Sequence, residues 1–584
     1  MKKLFKILGS LLMTSAIIFT GCTTNANGSG TQTTPVEKTE TPADGSYTAP
    51  EGKTDADDAE WALLNYDLSA YNGKTVKIDF SCEMKVKNNT SEAKNLMWQL
   101  SIEGKYPVIA SNSFAAGESD WITVASSEES KKESHTLGNE VQLYLSGYGL
   151  KATDVEVQVR NVKYTISYIV GEANWLDESV PSLKETYSEY FDSIGIACEY
   201  SSWNGIKELS VKEVRDGIAK HADSVSMGNE FKPDGFFGWQ WTGTGKAMED
   251  FTASNGLKIK VPRDLQYDTQ DKCLAACKEA GLKMRGHVLA WHAQTPESFF
   301  TEDYAAAVYD SDAQNILENK VSKEVMQARL EWYIKTVLKH VADWEAANNY
   351  RAIWAWDVFN ETVADDASAT NWVRGSTPET KDRPPAAPAV NPGPCGSRWY
   401  QCYGDTDFIE DAFRFANAYA PADVKLCYND YNEYMNYGES LKTDGIMKLI
   451  QLVKNGEAKT VNGKSVKPRI DVMGMQSHVR VSWPGVDGYE NALKRFLTEV
   501  DVHVTELDIA CTTVAESKKC WTDYCKMLKK YGKKYSGTHK VTNITIWGIN
   551  NKSSWIYKGD VKYPVLFDNY MTTPAFWAVI EAAK

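Results

Sequence analysis

No stretch of the 584 residues approaches the ~20 consecutive apolar positions that a membrane-crossing helix requires. No basic stripe appears either, and the formal net charge of −14 argues against a nucleic-acid backbone as partner while leaving neutral polymers open. Histidine is scarce at eight residues, and no cysteine pair stands in register with a second pair or a histidine cluster. Cys273-x-x-x-Cys277 therefore does not spell zinc; no metal is demanded and no cofactor is expected. Gly243-Thr244-Gly245-Lys246 lacks the upstream glycine of a phosphate loop, and no Ser-His-Asp arrangement competes as a nucleophile.

What is abundant is aromatic: 19 Trp and 30 Tyr, more than a core needs and suited to flat binding platforms. The length implies two to four domains. Met1-Lys2-Lys3-Leu4-Phe5-Lys6, the apolar run Ile7 to Phe19 and then Thr20-Gly21-Cys22 describe an export signal over 1–22. Small residues before Cys22 resemble the bacterial lipoprotein box, although Phe19 stands where leucine is usual. The resemblance implies a lipid anchor on Cys22 at the bacterial cell surface or outer membrane; ordinary secretory cleavage nearby would still export the protein. Residues 23–58 hold almost no large apolar side chain and read as a flexible linker. Of the remaining cysteines, Cys395 with Cys402, and Cys511 with Cys520 or Cys525, are candidate disulfides. Cys82, Cys198 and Cys427 read as buried small hydrophobes.

From 59 to 170 short segments alternate with period two, among them Thr75 to Phe80, Met97 to Ile102, Trp121 to Val124, Val141 to Leu145 and Val155 to Val159. That pattern predicts an all-β antiparallel sandwich with no catalytic pair in it. It is similar to the jelly-roll carbohydrate-binding modules of plant cell-wall hydrolases, nearest to family 22. The likeness makes Trp98, Tyr106, Trp121, Tyr144 and Tyr148 candidate sugar platforms, core packing being the competing reading for each.

Over 171–584 strand and helix alternate. Eight apolar runs, Ile194 to Tyr200, Ser224 to Lys232, Lys283 to His292, Ala352 to Glu361, Lys425 to Asn432, Val472 to Val479, Val500 to Ile509 and Ile544 to Trp555, predict a (β/α)8 TIM barrel. The longest insertion, 364–398, follows the fourth strand and carries Arg383-Pro384-Pro385, an expected rim loop. Working residues of such barrels sit at the C-terminal strand ends. There the sequence places Asn229 and Lys232, then His287, Trp291 and His292, then Asn360 and Glu361, Tyr431, Gln476 and His478, Glu506 and Asp508, and Trp547 and Trp555. Glu361 and Glu506, on strands four and seven, face each other across the mouth as glycosidic cleavage requires.

Residues 180–584 resemble a family 10 glycoside hydrolase, typically an endo-β-1,4-xylanase. The matching phrases are Gly228-Asn229-Glu230-Phe231-Lys232-Pro233-Asp234, Arg285-Gly286-His287-Val288-Leu289-Ala290-Trp291-His292, Trp356-Asp357-Val358-Phe359-Asn360-Glu361, Tyr428-Asn429-Asp430-Tyr431-Asn432, Gly474-Met475-Gln476-Ser477-His478 and Val504-Thr505-Glu506-Leu507-Asp508. The resemblance implies Glu361 as acid/base and Glu506 as nucleophile of a retaining mechanism, with ~5–5.5 Å between the carboxyls. Asn360 suits the sugar 2-hydroxyl. Asn229, Lys232, His287, Trp291, Tyr431 and Gln476 are expected to bind sugar, with Trp547 and Trp555 as an apolar wall. His478 and Asp508 are expected around Glu506, with His292 in support. Gly228 departs from the family, whose members often carry glutamate there, so a distal sugar contact is in question. The expected partner is xylan or a related cell-wall polysaccharide, and the expected state a monomer. A β-1,4-glucanase and a surface glycan-binding lipoprotein with a dead barrel are the alternatives; retention of both glutamates argues against the latter.

Overall fold

The computed structural model describes residues 35–54, 62–71, 75–102, 106–137, 141–147, 149–169, 174–200, 208–310, 317–376, 397–436 and 440–584. The leader, Cys22, Tyr148 and Cys395 lie outside them.

The first unit is the expected sandwich. One sheet is built on β4 (Thr75–Asn88) and β9 (Val155–Ile169), which pair antiparallel with Ile78 opposite Ile166. β7 (Ile122–Ala125) joins the other edge of β4. The facing sheet runs β3 (Leu64–Asp67), β8 (Gln142–Ser146), β5 (Lys94–Leu100), β6 (Val108–Phe114). Alternation decides the packing: Val76, Ile78, Phe80, Cys82, Met84 and Val86 on β4 point inward against Leu96, Trp98 and Leu100 on β5.

One reading changes here and another is decided. Within the expected linker, β1 (Pro35–Glu40) and β2 (Gly45–Tyr47) both pair with β9, so ordered structure starts well before residue 59. Edge strands are held by main-chain hydrogen bonds, which apolar content does not reveal. Among the candidate platforms, Trp98 is fully buried, stacked on Tyr66 at 5.6 Å and packed on Phe80 at 4.9 Å. It is core because Met97 and Gln99 take the opposite face of β5. Tyr144 is also buried, and one face of Trp121 is covered by the Arg160 guanidinium at 4.0 Å. Tyr106, 58% exposed, is free to meet a ligand. Trp98→Ala is therefore expected to cost ~3–5 kcal/mol of stability through the cavity it leaves, seen as a lower denaturant midpoint of the full chain.

The second unit is the barrel. Its strands are β10 (Ser193–Cys198), β11 (Ser224–Met227), β12 (Lys283–Trp291), β13 (Ile353–Asn360), β14 (Lys425–Asp430), β15 (Val472–Met475), β16 (Asp501–Ala510) and β17 (Val541–Ile546). All pair in parallel with their neighbours, and β10 closes onto β17 with Ile194 opposite Ile544. Nearly every residue of these strands is buried, as expected of a parallel sheet covered on both faces. A helix of ten or more residues follows each strand in turn: α1 (Lys212–His221), α2 (Asp268–Ala280), α3 (Lys323–Asn348), α4 (Asp407–Tyr419), α5 (Lys442–Asn455), α6 (Val486–Phe496), α7 (Val514–Lys529) and α8 (Pro574–Ala583). α3 buries Ile334, Val337, Leu338 and Val341, and α6 buries Tyr489, Ala492, Leu493 and Phe496, the stripes that their spacing requires. α7 starts on a capping box in which Thr513 and Glu516 exchange hydrogen bonds.

The eighth strand ends at Ile546, so Trp547 and Trp555 lie on the loop after it rather than on the strand. Gly548, at φ +116°, takes a backbone conformation that glycine tolerates and thereby ends the run. Cys511, Cys520 and Cys525 stand as buried free thiols, so neither expected bridge is formed there. Cys402 is a buried thiol. Among the described residues no helix is long and apolar enough to cross a membrane.

Candidate active site

The loops beyond the strand ends enclose a groove of about 2560 Å³, larger than the ~300–1,000 Å³ typical of small-molecule pockets. It has room for several units of a polymer. All fourteen site residues expected from the sequence border it or bond directly to those that do.

Glu506 is the most tightly held. Asn429 Nδ2 donates to its Oε1 at 2.8 Å, His478 Nε2 lies 3.2 Å from Oε2, and His287 Nε2 stands 4.0 Å from Oε1. Burial alone would raise its pKa. The His478 hydrogen bond, the charges of His287 and His478 and the Asn429 amide outweigh burial and bring it down to about 2. Glu506 is thus ionised throughout the neutral range. His478 is itself clamped by Asp508 at 2.8 Å. Burial works against the imidazolium, yet Asp508 and Glu506 hold its pKa well above the ordinary value. Trp555 Nε1 donates to the other oxygen of Asp508 at 2.8 Å, and its ring lies 4.9 Å from the His478 ring. Trp547 sits edge-on to His287 at 5.7 Å.

Glu361 has a different environment. It is the first residue past β13, with φ +55°, a left-handed conformation that costs a non-glycine residue energy and points the side chain into the groove. Trp291 Nε1 donates to Oε2 at 3.0 Å, Gln476 Nε2 to Oε1 at 3.0 Å and Asn360 Nδ2 to Oε1 at 3.2 Å. The hydrogen-bond partners of its carboxyl are all neutral. The two carboxyls are linked through amides, since Asn360 Oδ1 accepts from both Gln476 and Asn429 at 3.1 Å. One carboxyl is therefore a fixed anion, and the other is held by neutral N–H donors. That pairing is what acid-assisted displacement requires.

Farther along, Lys232 Nζ donates to Asn229 Oδ1 at 3.2 Å and lies 5.1 Å above the Trp291 ring. His292 is edge-on to Trp291 at 5.8 Å, and burial keeps it neutral. Tyr431 is held by its hydroxyl, which donates to Asp365 and accepts from Arg374 at 3.2 Å.

Several supporting residues were not singled out from the sequence. Asp357, fully buried, takes Arg285 at 2.6 Å and His287 Nδ1 at 2.9 Å, which turns His287 Nε2 toward Glu506. Its alternation with Trp356 and Val358 inside a strand was the available signal. Asn429 bridges Glu506 and Asn360, and lay within a noted phrase without a role. Arg374, from the part of the insertion that is described, donates Nε to the Glu361 carbonyl at 2.9 Å and so fixes the strained residue. Nothing in its local sequence marked it. Residues 377–396 of that insertion lie outside the described residues. Among the described residues no cluster of three or more His, Cys, Asp or Glu side chains is arranged to hold a metal ion.

Comparison with known proteins agrees with this architecture. The chain is 30% identical over 420 residues to endo-1,4-beta-xylanase Y of Acetivibrio thermocellus, covering 70% of this chain and 33% of that protein. It is 27% identical over 551 residues to endo-1,4-beta-xylanase A of Thermotoga maritima, covering 89% and 42%. The chain thus spans less than half the length of these relatives. In fold it is similar to the CBM22-1 and GH10 modules of Clostridium thermocellum endo-1,4-beta-D-xylanase 10B, solved with xylohexaose, at a TM-score of 0.55, 24% identity and 94% coverage of each chain. Residues 182–582 match the model of glycosyl hydrolase family 10, and the chain belongs to that family.

Proposed function

We propose that this chain is an exported, retaining endo-β-1,4-xylanase. The observation that carries the reading is the contrast between Glu506, held ionised by His478 and Asn429, and Glu361, held by neutral donors across the same groove. In the first step the Glu506 carboxylate attacks the anomeric carbon while Glu361 delivers its proton to the leaving sugar oxygen. Formation of the ester removes the negative charge of Glu506, which lowers the proton affinity of Glu361, so the same group then takes a proton from water for the second step. Asn360 meets the 2-hydroxyl, whose hydrogen bond strengthens as positive charge develops on the sugar.

Trp547 and Trp555 form the wall beside His287 and His478. A close wall there excludes a hydroxymethyl group and so favours xylose over glucose. Wild-type protein is expected to release reducing sugar from xylan and little from carboxymethylcellulose; the opposite preference overturns the substrate assignment. The sandwich is read as a β-glycan-binding module with Tyr106 on its open surface, the leader as the route to a lipid anchor on Cys22 at the cell surface, and the working unit as a monomer.

A further inference from the structure

β10 ends at Cys198, so Glu199 is the first residue past the strand and enters the groove next to the end of β11. Gly228 is the first residue past β11, and its N–H donates to the Cys198 carbonyl at 3.0 Å. A Cβ at position 228 would lie 2.2 Å from Glu199 Oε1. The volume that any side chain at 228 would need is therefore already taken by a carboxyl from the neighbouring strand. Oε1 accepts from Asn229 Nδ2 at 2.8 Å, and Asn229 Oδ1 in turn accepts from Lys232 Nζ at 3.2 Å and Gln294 Nε2 at 3.1 Å. The second oxygen, Oε2, is buried and has no hydrogen-bond partner. A buried polar atom left unpaired is costly, and one bordering a binding groove is the sort that a ligand satisfies.

Resting on the xylan reading of the groove, we propose that Glu199 is a further sugar-binding residue, taking a hydroxyl of the sugar one unit beyond the one at the cleaved bond, and that Gly228 is glycine because it makes room for that carboxyl. The position follows from Asn229 and Lys232. Lys232 feels both Glu506 and Glu199, and the Asn229 pair it belongs to separates Glu199 from the reacting carboxyls. Burial and the charge of Glu230 raise the Glu199 pKa to about 9 against the pull of Lys232, with Glu208 and a side-chain hydrogen bond to Glu230 adding to the rise. At neutral pH the group is a neutral acid whose proton is shared with Glu230 and can be offered to a sugar hydroxyl. It fills the distal contact that Gly228 left in question.

Two substrates that differ only in the distal sugar separate this role from a structural one: an aryl β-xyloside and the corresponding aryl β-xylobioside. Glu199→Ala is expected to lower kcat/KM on the xylobioside about tenfold, the scale of one lost hydrogen bond, and to change the xyloside less than twofold. Glu199→Gln, which keeps a donor in the same place, stays within about threefold of wild type on both. Gly228→Ala, which pushes the carboxyl away, reproduces the loss, and the double variant Glu199→Ala/Gly228→Ala loses no more than either alone. Equal losses on both substrates, additive losses in the double variant, or a glutamine variant as impaired as the alanine one would each overturn the proposal. A wild-type enzyme without turnover of the xylobioside would overturn the xylan reading itself, whereas normal wild-type turnover with an unmoved Glu199→Ala overturns this proposal alone.

Discussion

Glu506→Gln is expected to lower kcat on xylan by at least ~10⁴-fold while leaving the fold intact. The amide is nearly isosteric, and its oxygen keeps the Asn429 Nδ2 contact that the carboxylate makes at 2.8 Å. What disappears is the anion that His478 and His287 hold at a pKa of about 2. An amide is too poor a nucleophile to form the glycosyl ester, so the loss falls on chemistry rather than on binding, and KM moves little. Intact-protein mass spectrometry gives an independent reading. Wild type incubated with an activated 2-fluoro-xylobioside gains one glycosyl mass on the peptide containing Glu506, and the variant gains none. A variant within tenfold of wild type would remove Glu506 from the mechanism.

The second large effect belongs to Glu361, and its signature is dependence on the leaving group. Glu361→Ala is expected to lower xylan hydrolysis by ~10²–10⁴-fold, the usual worth of a positioned acid/base. An aryl xylobioside with an acidic phenol needs no protonation to leave, so its first step survives and only the water step is slow. A burst of phenol followed by slow turnover is the expected trace. Azide needs no general base, and it should restore turnover by occupying the space that the side chain vacates between Trp291 and Gln476. The product would be the β-xylobiosyl azide. Equal losses for both leaving groups, with no azide adduct, would mean that Glu361 only shapes the groove.

Much of this was legible in the sequence because buried parallel strands are written in β-branched and aromatic runs. Ile353-Trp354-Ala355-Trp356 and Val502-His503-Val504 declare themselves, and each is followed by its carboxylate. The helices were readable for the same reason, since Tyr489, Ala492, Leu493 and Phe496 repeat at helical spacing. Where the reading failed, the cause was a contact made at a distance in sequence. The β1 and β2 segments look like linker because their stability comes from pairing with β9, more than a hundred residues later. For Trp98 the sequence left sugar platform and core packing as competing readings, and Tyr66 on its own sheet with Phe80 on the opposite one decides for the core. Glu199 is the sharpest case. Gly228 read as a missing contact, and only the approach of β10 beside β11 shows what the missing side chain admits. Arg374 was hidden because the insertion that carries it has no pattern of its own, and its contact is with the main chain of Glu361.

The central claim is that Glu506 forms a covalent intermediate which Glu361 then helps water to break, a double displacement that conserves configuration at the anomeric carbon. Proton NMR of the first minutes of xylo-oligosaccharide hydrolysis tests it directly. The β-anomer of the new reducing end is expected to appear first, with the α-anomer growing in only as mutarotation proceeds. Initial release of the α-anomer would contradict the account, because it requires a single displacement by water and leaves Glu506 as a base rather than a nucleophile.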